Sequence, residues 1–265
     1  MQEYTLKTNF AALEVPQAIE YLEDFGKIIE KAFEYRDIRA RLLGNLLVLE
    51  RYCNTVQQGL EGHEIQLSVC LRYAQGLLWD YLGGRVTAAD FQDFANDYYA
   101  WFSEEGVDHF EHNDAPKGFC SEHFAEYFAD SCPDPYEWVA VEWSSELLMQ
   151  LVSIEGGRVD HEDFEECWNL DVDWVPYVLE IIQVGVCEWL ASAIAASNME
   201  VDSVYNSLSR EIVMYLQKDL RTALWAAPME YEALWKEYGQ YTIIPEQYAG
   251  VLKNDRRKKK WRRKK

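Results

Sequence analysis

Apolar residues recur along much of this chain at steps of three and four, the spacing of an amphipathic α-helix. The pattern is clear in AIEYLEDFGKIIEKAF (residues 18–33), IRARLLGNLLVLERYCNTV (38–56) and LSVCLRYAQGLLWDYL (67–82). Alternating patterns typical of half-buried strands are scarce. The chain is therefore predicted to be an all-α protein, a single large domain of about ten helices joined by short loops. In the first helix, the residues predicted near one face are Ile19, Leu22, Ile28, Ile29 and Phe33.

The most apolar segment of the chain is VPYVLEIIQVGVCEWLASAIAA, residues 175–196. Glu180, Gln183 and Glu188 interrupt it, and such side chains are costly inside a bilayer. The segment is therefore predicted to be a central helix, buried on most sides, rather than a membrane span.

One nonapeptide pattern occurs twice, as GGRVTAADF at residues 83–91 and as GGRVDHEDF at residues 156–164. A glycine pair can end a helix in the left-handed conformation, which places Thr87 or Asp160 at the N-cap of the next helix. The residue three positions later is Asp in both copies, which is close to a capping box. Each copy is predicted to be a helix–GGRV–helix corner, produced either by duplication or by convergence on a favourable turn.

Charge divides the chain into unequal parts. The formal net charge is −21, yet residues 253–265 carry ten Lys or Arg and one Asp. Residues 86–209 hold 27 acidic side chains and two basic ones, Lys117 and Arg158. The sequence thus predicts an acidic helical domain over 1–252 and a disordered basic tail over 253–265. The acidic field attracts cationic proteins and repels nucleic acid, although acidity alone also serves solubility.

The cysteines and the first residues indicate a compartment. Six cysteines are spread along the chain, some among apolar neighbours, as in LERYCNTV and QVGVCEWL. The opening stretch, MQEYTLKTNFAAL, lacks the basic and apolar regions of a secretory signal. Buried, reduced thiols in a cytoplasmic protein are therefore the prediction.

Motifs that define common enzyme classes are missing, since the chain has no Walker A loop, no nucleophile elbow and no HExxH motif. The best metal candidate is HFEHNDAPKGFCSEH, which has the spacing H-x2-H-x7-C-x2-H. Imidazole and thiolate suit zinc, but the usual finger spacings are absent, and such residues are also ordinary packing and surface residues. No cofactor and no enzymatic activity are therefore expected, with zinc as the alternative. The candidate ligands are His109, His112, Cys120 and His123.

Aromatic and acidic residues are mixed in DYYAWFSEEGVDHFEH, residues 97–112. In the ordinary interpretation, the aromatic residues belong to the core and the acids to a solvated face. The functional alternative is a surface of Tyr and Trp anchors inside an acidic rim, because aromatic anchors are typical of protein interfaces. The residues predicted to contact a partner are Asp97, Tyr98, Trp101, Glu104, Glu105, Asp108, Glu111 and Asp114.

The basic tail contains a single aromatic residue, which can stack on a base. The tail is predicted to contact the acidic domain transiently and to bind nucleic acid only weakly and in a salt-sensitive way. An anionic membrane is the less favoured alternative, because no amphipathic helix or lipidation motif accompanies the tail. The predicted anion-binding residues are Arg256, Arg257, Lys258, Lys259, Lys260, Trp261, Arg262 and Arg263.

Two stretches carry a family resemblance, LLVLERYCNTV (46–56) and LRYAQGLLWDYLGGRV (71–86). Together they resemble a bacterial all-helical family of unknown function that is similar to predicted immunity proteins of polymorphic-toxin systems. The shared residues are largely helix-packing residues, and the acidic middle and the basic tail depart from the family pattern. The resemblance implies an all-α fold and a cytoplasmic bacterial binding protein, and it brings no catalytic residues.

Three functions follow as hypotheses. The leading one is an immunity or inhibitor-type protein that holds a cationic toxin, for example a nuclease, against the acidic middle of the chain. The second is a nucleic-acid- or ribosome-associated protein tethered by its basic tail. The third is a zinc-dependent enzyme built on the His/Cys cluster at 109–123.

Overall fold

The computed structural model describes residues 1–6, 9–57, 67–102, 138–159 and 200–242, together with 170, 177–179 and 181–182. Within these residues the fold is all-α and contains no strand, which confirms the fold class predicted from the hydrophobic pattern. The α-helices of the described part are α1 (Val15–Phe33), α2 (Ile38–Gln57), α3 (Val69–Leu82), α4 (Ala88–Phe102), α5 (Trp138–Ile154), α6 (Val201–Trp225) and α7 (Tyr231–Tyr238). Two short 3-10 helices are Phe10–Ala12 and Pro228–Glu230.

Helix α2 lies at the centre of the described fold. Fourteen of its 20 residues are buried, and it packs against α3, α5, α6 and α7. A helix with apolar side chains on all sides needs neighbours on all sides, which these four helices supply. The predicted central helix over 175–196 is described only at 177–179 and 181–182, and all of these residues are buried.

One stripe of α1 faces the core. Its members are Leu22, Phe25, Ile29 and Phe33, each at most 5% exposed. Two residues predicted for the same face lie beside the stripe instead: Ile19 is 38% exposed and Ile28 is half-buried. Ile19 is about 60° around the helix from Leu22, so it reaches only the edge of the buried face.

The N-terminal segment is fixed to α6 by two side-chain amides. The Tyr4 N–H donates to Gln217 Oε1 at 2.8 Å, and Gln217 Nε2 donates to the Tyr4 carbonyl at 2.7 Å. The Ala11 N–H donates to Asn206 Oδ1 at 2.9 Å. These amides give partners to backbone groups that no regular element satisfies, and they hold Phe10, 2% exposed, in the core.

The two GGRV segments end their helices with the same kind of turn, but one residue out of step. After α3 the left-handed residue is Gly84, with φ 69°, and after α5 it is Gly156, with φ 73°. In both turns the next N–H donates to the carbonyl five residues before it at 2.8 Å. The left-handed residue is thus the second glycine of the first copy and the first glycine of the second copy. This shift favours convergence over duplication, and the helix predicted after the second copy lies beyond the described residues.

The beginning of α4 is held by its neighbours in sequence and in space. The Thr87 N–H and hydroxyl both donate to Asp90 Oδ2, at 2.7 and 2.8 Å. These backbone and side-chain bonds lower the pKa of the Asp90 carboxyl. The Ala88 N–H donates to a carboxylate oxygen of Glu155, at the end of α5, at 3.0 Å. The α3–α4 corner therefore contains the Thr87–Asp90 pairing that the sequence indicates. It also contains the Ala88–Glu155 contact, which the sequence does not indicate.

Candidate protein-binding surface

The residues predicted to contact a partner fall into two groups. Asp97 and Tyr98 are only 5% and 0% exposed, so their assignment to an open surface is wrong. The physical reason is the packing of α4 on α5, which draws this face of α4 inward: the Tyr98 hydroxyl lies 3.1 Å from Ser144 Oγ, and its ring stacks on Phe94. The other predicted contacts, which are the Trp101 side chain, Glu104, Glu105, Asp108, Glu111 and Asp114, lie outside the described residues.

The candidate zinc ligands His109, His112, Cys120 and His123 and the basic tail over 253–265 also lie outside the described residues. Among the residues that the structure does describe, no cluster of three or more His, Cys, Asp or Glu could hold a metal ion. No helix in this part of the chain has the length and apolarity needed to cross a membrane. Cys53 and Cys70 are buried, as predicted for cysteines among apolar neighbours.

Arg51 of α2 forms a buried ion pair with Asp219 of α6. Its Nε and Nη2 donate to the two Asp219 oxygens at 2.6 and 2.7 Å, and the two side chains are 5% and 0% exposed. The Tyr238 hydroxyl donates to Asp219 at 2.8 Å, and Arg51 Nη1 donates to the Thr242 carbonyl at 2.9 Å. Three tyrosine rings have centroids 5.1 to 5.4 Å from the guanidinium carbon, those of Tyr215, Tyr238 and Tyr241.

This cluster ties α2 to α6 and to the chain that follows α7. Burial lowers the pKa of Arg51, but the hydrogen bonds and charge of Asp219, with the neighbouring tyrosines, outweigh it, so the pKa is raised. The guanidinium therefore stays charged inside the fold. Asn54 adds two bonds from Nδ2, to the Tyr238 carbonyl at 2.7 Å and to the Tyr241 carbonyl at 3.0 Å. The arrangement is a structural clamp between distant parts of the chain.

Glu50 of α2 and Trp79 of α3 form a second buried polar pair. Trp79 Nε1 donates to Glu50 Oε1 at 2.7 Å. Burial raises the pKa of Glu50, and the bond from Trp79 only partly offsets that effect. The Trp79 ring stacks on Trp235 of α7, with centroids 5.7 Å apart and planes at 13°. These buried polar contacts thus hold helices together, and the exposed candidate site lies elsewhere.

Large side chains are exposed where α6 ends. Trp225 is 76% exposed, Met229 is 89% exposed and Tyr35 is 90% exposed. The Arg36 guanidinium lies 5.0 Å from the centroid of the Trp225 ring, so the turn between α1 and α2 adjoins the end of α6. This cation–π contact covers one part of the ring and leaves the rest open. We use the term end surface for these exposed residues, which are Tyr35, Arg36, Trp225 and Met229.

A pocket of about 210 Å³ adjoins the end surface and shares Met229 with it. Its charged rim residues are already paired: Arg85 Nε donates to Asp80 at 2.6 Å, and Lys236 Nζ donates to Glu232 at 2.7 Å. Its charges are thus paired within the chain, and its lining combines aromatic rings with a larger share of polar surface. It is lined by Trp79, Gly83, Arg85, Pro228, Met229, Tyr231, Glu232 and Trp235.

The end surface was missed by sequence reasoning, although its residue types are those enriched at protein interfaces. The one local signal is LWAAPMEY, residues 224–231, where Trp and Met flank a proline that stops the helical pattern. The contact between Arg36 and Trp225 depends on how the α1–α2 turn packs against the end of α6. This contact joins residues far apart in the chain, so it produces no periodic pattern in the sequence.

The described fold places the protein in the all-α class, with buried polar clamps and an exposed aromatic surface at the end of α6. Comparisons with family models, with curated proteins and with solved structures found no match for the chain. Its function therefore has to be inferred from the distribution of charge and from the geometry of the described residues.

Proposed function

We propose that this protein is a non-enzymatic binding protein of the immunity or inhibitor type that neutralises a cationic toxin, such as a nuclease. The observation that carries the proposal is the excess of acid in residues 86–209, with 27 acidic and two basic side chains. Carboxylates in such number speed the encounter with a basic protein and can occupy a groove that normally takes phosphates. The protein is placed in the cytoplasm, where an immunity protein meets its toxin.

The described part of α4 supports this proposal through its outer face. Asp90 and Asp93 are exposed there, while the opposite face packs on α5. Arg158, one of the two basic residues of the acidic segment, is 3.7 Å from Asp93 and so offsets part of this charge. With Asp97 and Tyr98 in the core, the proposed contact set is reduced to Trp101, Glu104, Glu105, Asp108, Glu111 and Asp114.

The family resemblance adds support of a different kind. It concerns residues 46–56 and 71–86, whose polar members Glu50, Arg51 and Trp79 make buried contacts between helices. Shared packing residues are consistent with a shared all-α scaffold on which the binding segment varies. The resemblance therefore supports the class of protein, whereas the charge distribution supports the kind of partner.

The test is neutralisation of a toxin encoded immediately beside this gene, measured as growth of cells that express both proteins. Changing Glu104, Glu105 and Asp108 together to Gln, Gln and Asn should abolish protection. The matched control changes Glu20, Glu23 and Asp24 of α1 in the same way, which removes equal charge from another exposed face and should leave protection intact. Equal loss in both variants, or a gene neighbourhood without a toxin, would contradict the proposal.

The second candidate function is binding of nucleic acid or the ribosome through the tail, and it is favoured by ten basic residues in 253–265. Deletion of these residues should leave toxin neutralisation unchanged and should remove only an affinity for RNA that falls steeply with salt. Filter binding at low and physiological salt measures that affinity. If deletion abolishes neutralisation while helicity survives, the tail belongs to the partner interface.

A further inference from the structure

We propose that α6 and the end surface bind the anionic surface of a lipid membrane without crossing it. The α6 residues concerned are Met214, Lys218, Arg221 and Trp225, which are exposed within about 60° of one another around the helix and are called the α6 face. Interfacial binding needs apolar or aromatic side chains that enter the headgroup boundary and cations that meet anionic lipids. The proposal goes beyond toxin binding and concerns other residues.

Apolar and aromatic side chains are exposed along α6 and at its end. Met214, 61% exposed, and Trp225 lie within about 20° of each other around α6 and about 17 Å apart along it. Tyr35 is next in sequence to Arg36, which contacts Trp225, and Met229 follows Trp225 by four residues. Trp and Tyr favour the boundary between water and lipid, because the ring is apolar while its polar atom stays hydrated.

Three cations accompany these side chains. Lys218 and Arg221 are exposed on α6 between Met214 and Trp225, and the Arg36 guanidinium lies 5.0 Å from the centroid of the Trp225 ring. None of the three cations forms an ion pair with a described residue, so their charges are available to lipid phosphates. The long stems of Lys and Arg can lie along apolar surface while the charged ends reach the headgroups.

The α6 face differs in charge from the chain as a whole, which carries −21. From 212 to 229 the one acidic residue is Asp219, which is buried and paired with Arg51. The acids that adjoin the face lie at its edges, and two of them hold backbone N–H groups, since Asp37 accepts the Ala40 N–H and Glu230 accepts the Ala227 N–H. The α6 face is therefore locally cationic.

Acid elsewhere on the fold opposes this binding only weakly. Helix α4, with Asp90 and Asp93 exposed, packs on α5, whereas α6 packs on α1 and α2. At physiological ionic strength, exposed charges are screened beyond about 8 Å, which is less than the diameter of one helix. The charge that an anionic surface meets is therefore set by the residues that touch it.

A lipid surface fits the α6 face and the end surface better than nucleic acid does. Met214 and Met229 have neither a ring that stacks on a base nor a donor for a phosphate. Both would contribute at a membrane, where binding strength follows the apolar area that enters the headgroup boundary. The cytoplasmic leaflet of a cell membrane is anionic, which agrees with the compartment proposed above.

The experiment is co-sedimentation of the full chain with two kinds of vesicle, phosphatidylcholine alone and phosphatidylcholine with about 30% phosphatidylserine. Trp225→Ala removes the exposed ring, and Lys218→Gln combined with Arg221→Gln removes two cations from the α6 face. Each protein is measured at low and at physiological salt, because attraction to anionic lipid weakens as salt rises. Circular dichroism verifies that helicity is unchanged in each variant.

Each change has a matched control outside the α6 face. Val201→Ala shortens an exposed apolar side chain about 36 Å from Trp225, at the other end of α6. Arg72→Gln combined with Arg158→Gln removes the same charge from exposed positions on other elements. A general effect of net charge would therefore appear equally in both double variants.

The expected result is tighter binding to the vesicles that contain phosphatidylserine, with a partition coefficient at least about fivefold lower in Trp225→Ala and in the Lys218/Arg221 variant and nearly unchanged in the controls. Absence of binding, or equal binding to both kinds of vesicle, overturns the proposal. Binding that persists unchanged in both variants also overturns it, since the basic tail then accounts for the affinity. Loss of affinity for single-stranded RNA without loss of vesicle binding assigns the face to nucleic acid instead. Toxin neutralisation should be the same in all these variants, so the two proposals fail separately.

Discussion

The Glu155 carboxylate accepts a hydrogen bond from the Ala88 N–H at 3.0 Å, so the chain at the end of α5 caps the first turn of α4. Its other oxygen accepts a hydrogen bond from the Tyr81 hydroxyl of α3 at 2.9 Å. A carboxylate at a helix N-terminus gives an unsatisfied N–H a partner and interacts favourably with the helix dipole. One side chain thus fixes the ends of three helices, including the helix that leads into the acidic segment.

Replacement of Glu155 should destabilise the fold, because this carboxylate joins three helix ends. Glu155→Ala removes both accepted bonds and is expected to lower the free energy of unfolding by about 1–2 kcal/mol, with a smaller decrease for Glu155→Gln. Urea denaturation followed by circular dichroism measures the difference. The control is Glu200→Ala, at a helix N-cap where the carboxylate makes no capping bond, with an expected change within about 0.5 kcal/mol. Equal decreases at both positions would contradict the capping role of Glu155.

The Arg51–Asp219 pair should be intolerant of the loss of one partner. Arg51→Met leaves a fully buried carboxylate without its cation and is expected to cost about 3–5 kcal/mol of stability. Combining it with Asp219→Leu should recover part of this stability, because no buried charge then remains. The measurement is the free energy of unfolding of the two single variants and the double variant.

The control for this experiment is an ion pair of similar length at the surface. Lys236 and Glu232 lie 2.7 Å apart, with side chains 74% and 67% exposed. Lys236→Met should change stability by at most about 1 kcal/mol, since solvent screens an exposed pair. If Arg51→Met lowers the free energy of unfolding no more than Lys236→Met does, burial does not determine how much the Arg51–Asp219 pair contributes to stability.

Burial of Glu50 predicts a pH dependence with a defined sign. Because the folded-state pKa is raised, the folded protein binds a proton more tightly than the unfolded chain does. The corresponding stability is present below pH 4.5, the ordinary value, and is lost as pH rises through the folded pKa. Glu50→Gln cannot ionise and keeps an acceptor for Trp79. Its stability relative to the wild type should therefore increase as pH is raised from 4 towards neutrality. A difference that stays constant with pH would contradict the assignment.

The helices were predictable from sequence, because the three- and four-residue spacing of apolar residues reports which face is buried. The mixture of aromatic and acidic residues in 97–112 misplaced Asp97 and Tyr98, since an acidic residue beside aromatic ones fits a core helix face as well as a binding surface. The Arg51–Asp219 pair spans 168 positions, and no local pattern connects its members. The contact of Trp225 with Arg36 likewise joins α6 to the distant α1–α2 turn, so both the clamp and this contact result from tertiary packing.

The glycines of the two corners provide a test of the one-residue shift. Gly84 and Gly156 have positive φ, so alanine at either position is strained and should cost about 1 kcal/mol. Gly83 has ordinary helical angles, and an added Cβ would meet only the movable end of Arg85 at 2.9 Å and the Trp79 carbonyl at 3.3 Å. Gly83→Ala should therefore change the free energy of unfolding by no more than about 0.5 kcal/mol.

Gly157 differs from its sequence counterpart Gly84, because space and not backbone angle limits it. A Cβ there would lie 2.7 Å from Val152 Cγ1 and 2.8 Å from Gln92 Oε1, which accepts the Arg158 N–H at 2.6 Å. Gly157→Ala should cost about 1–3 kcal/mol through this crowding. If the two copies instead folded in the register of their sequences, Gly83→Ala and Gly156→Ala would have equal effects. Chemical denaturation of the four alanine variants distinguishes the two registers, and the turns described above require Gly83→Ala to be the mildest of the four.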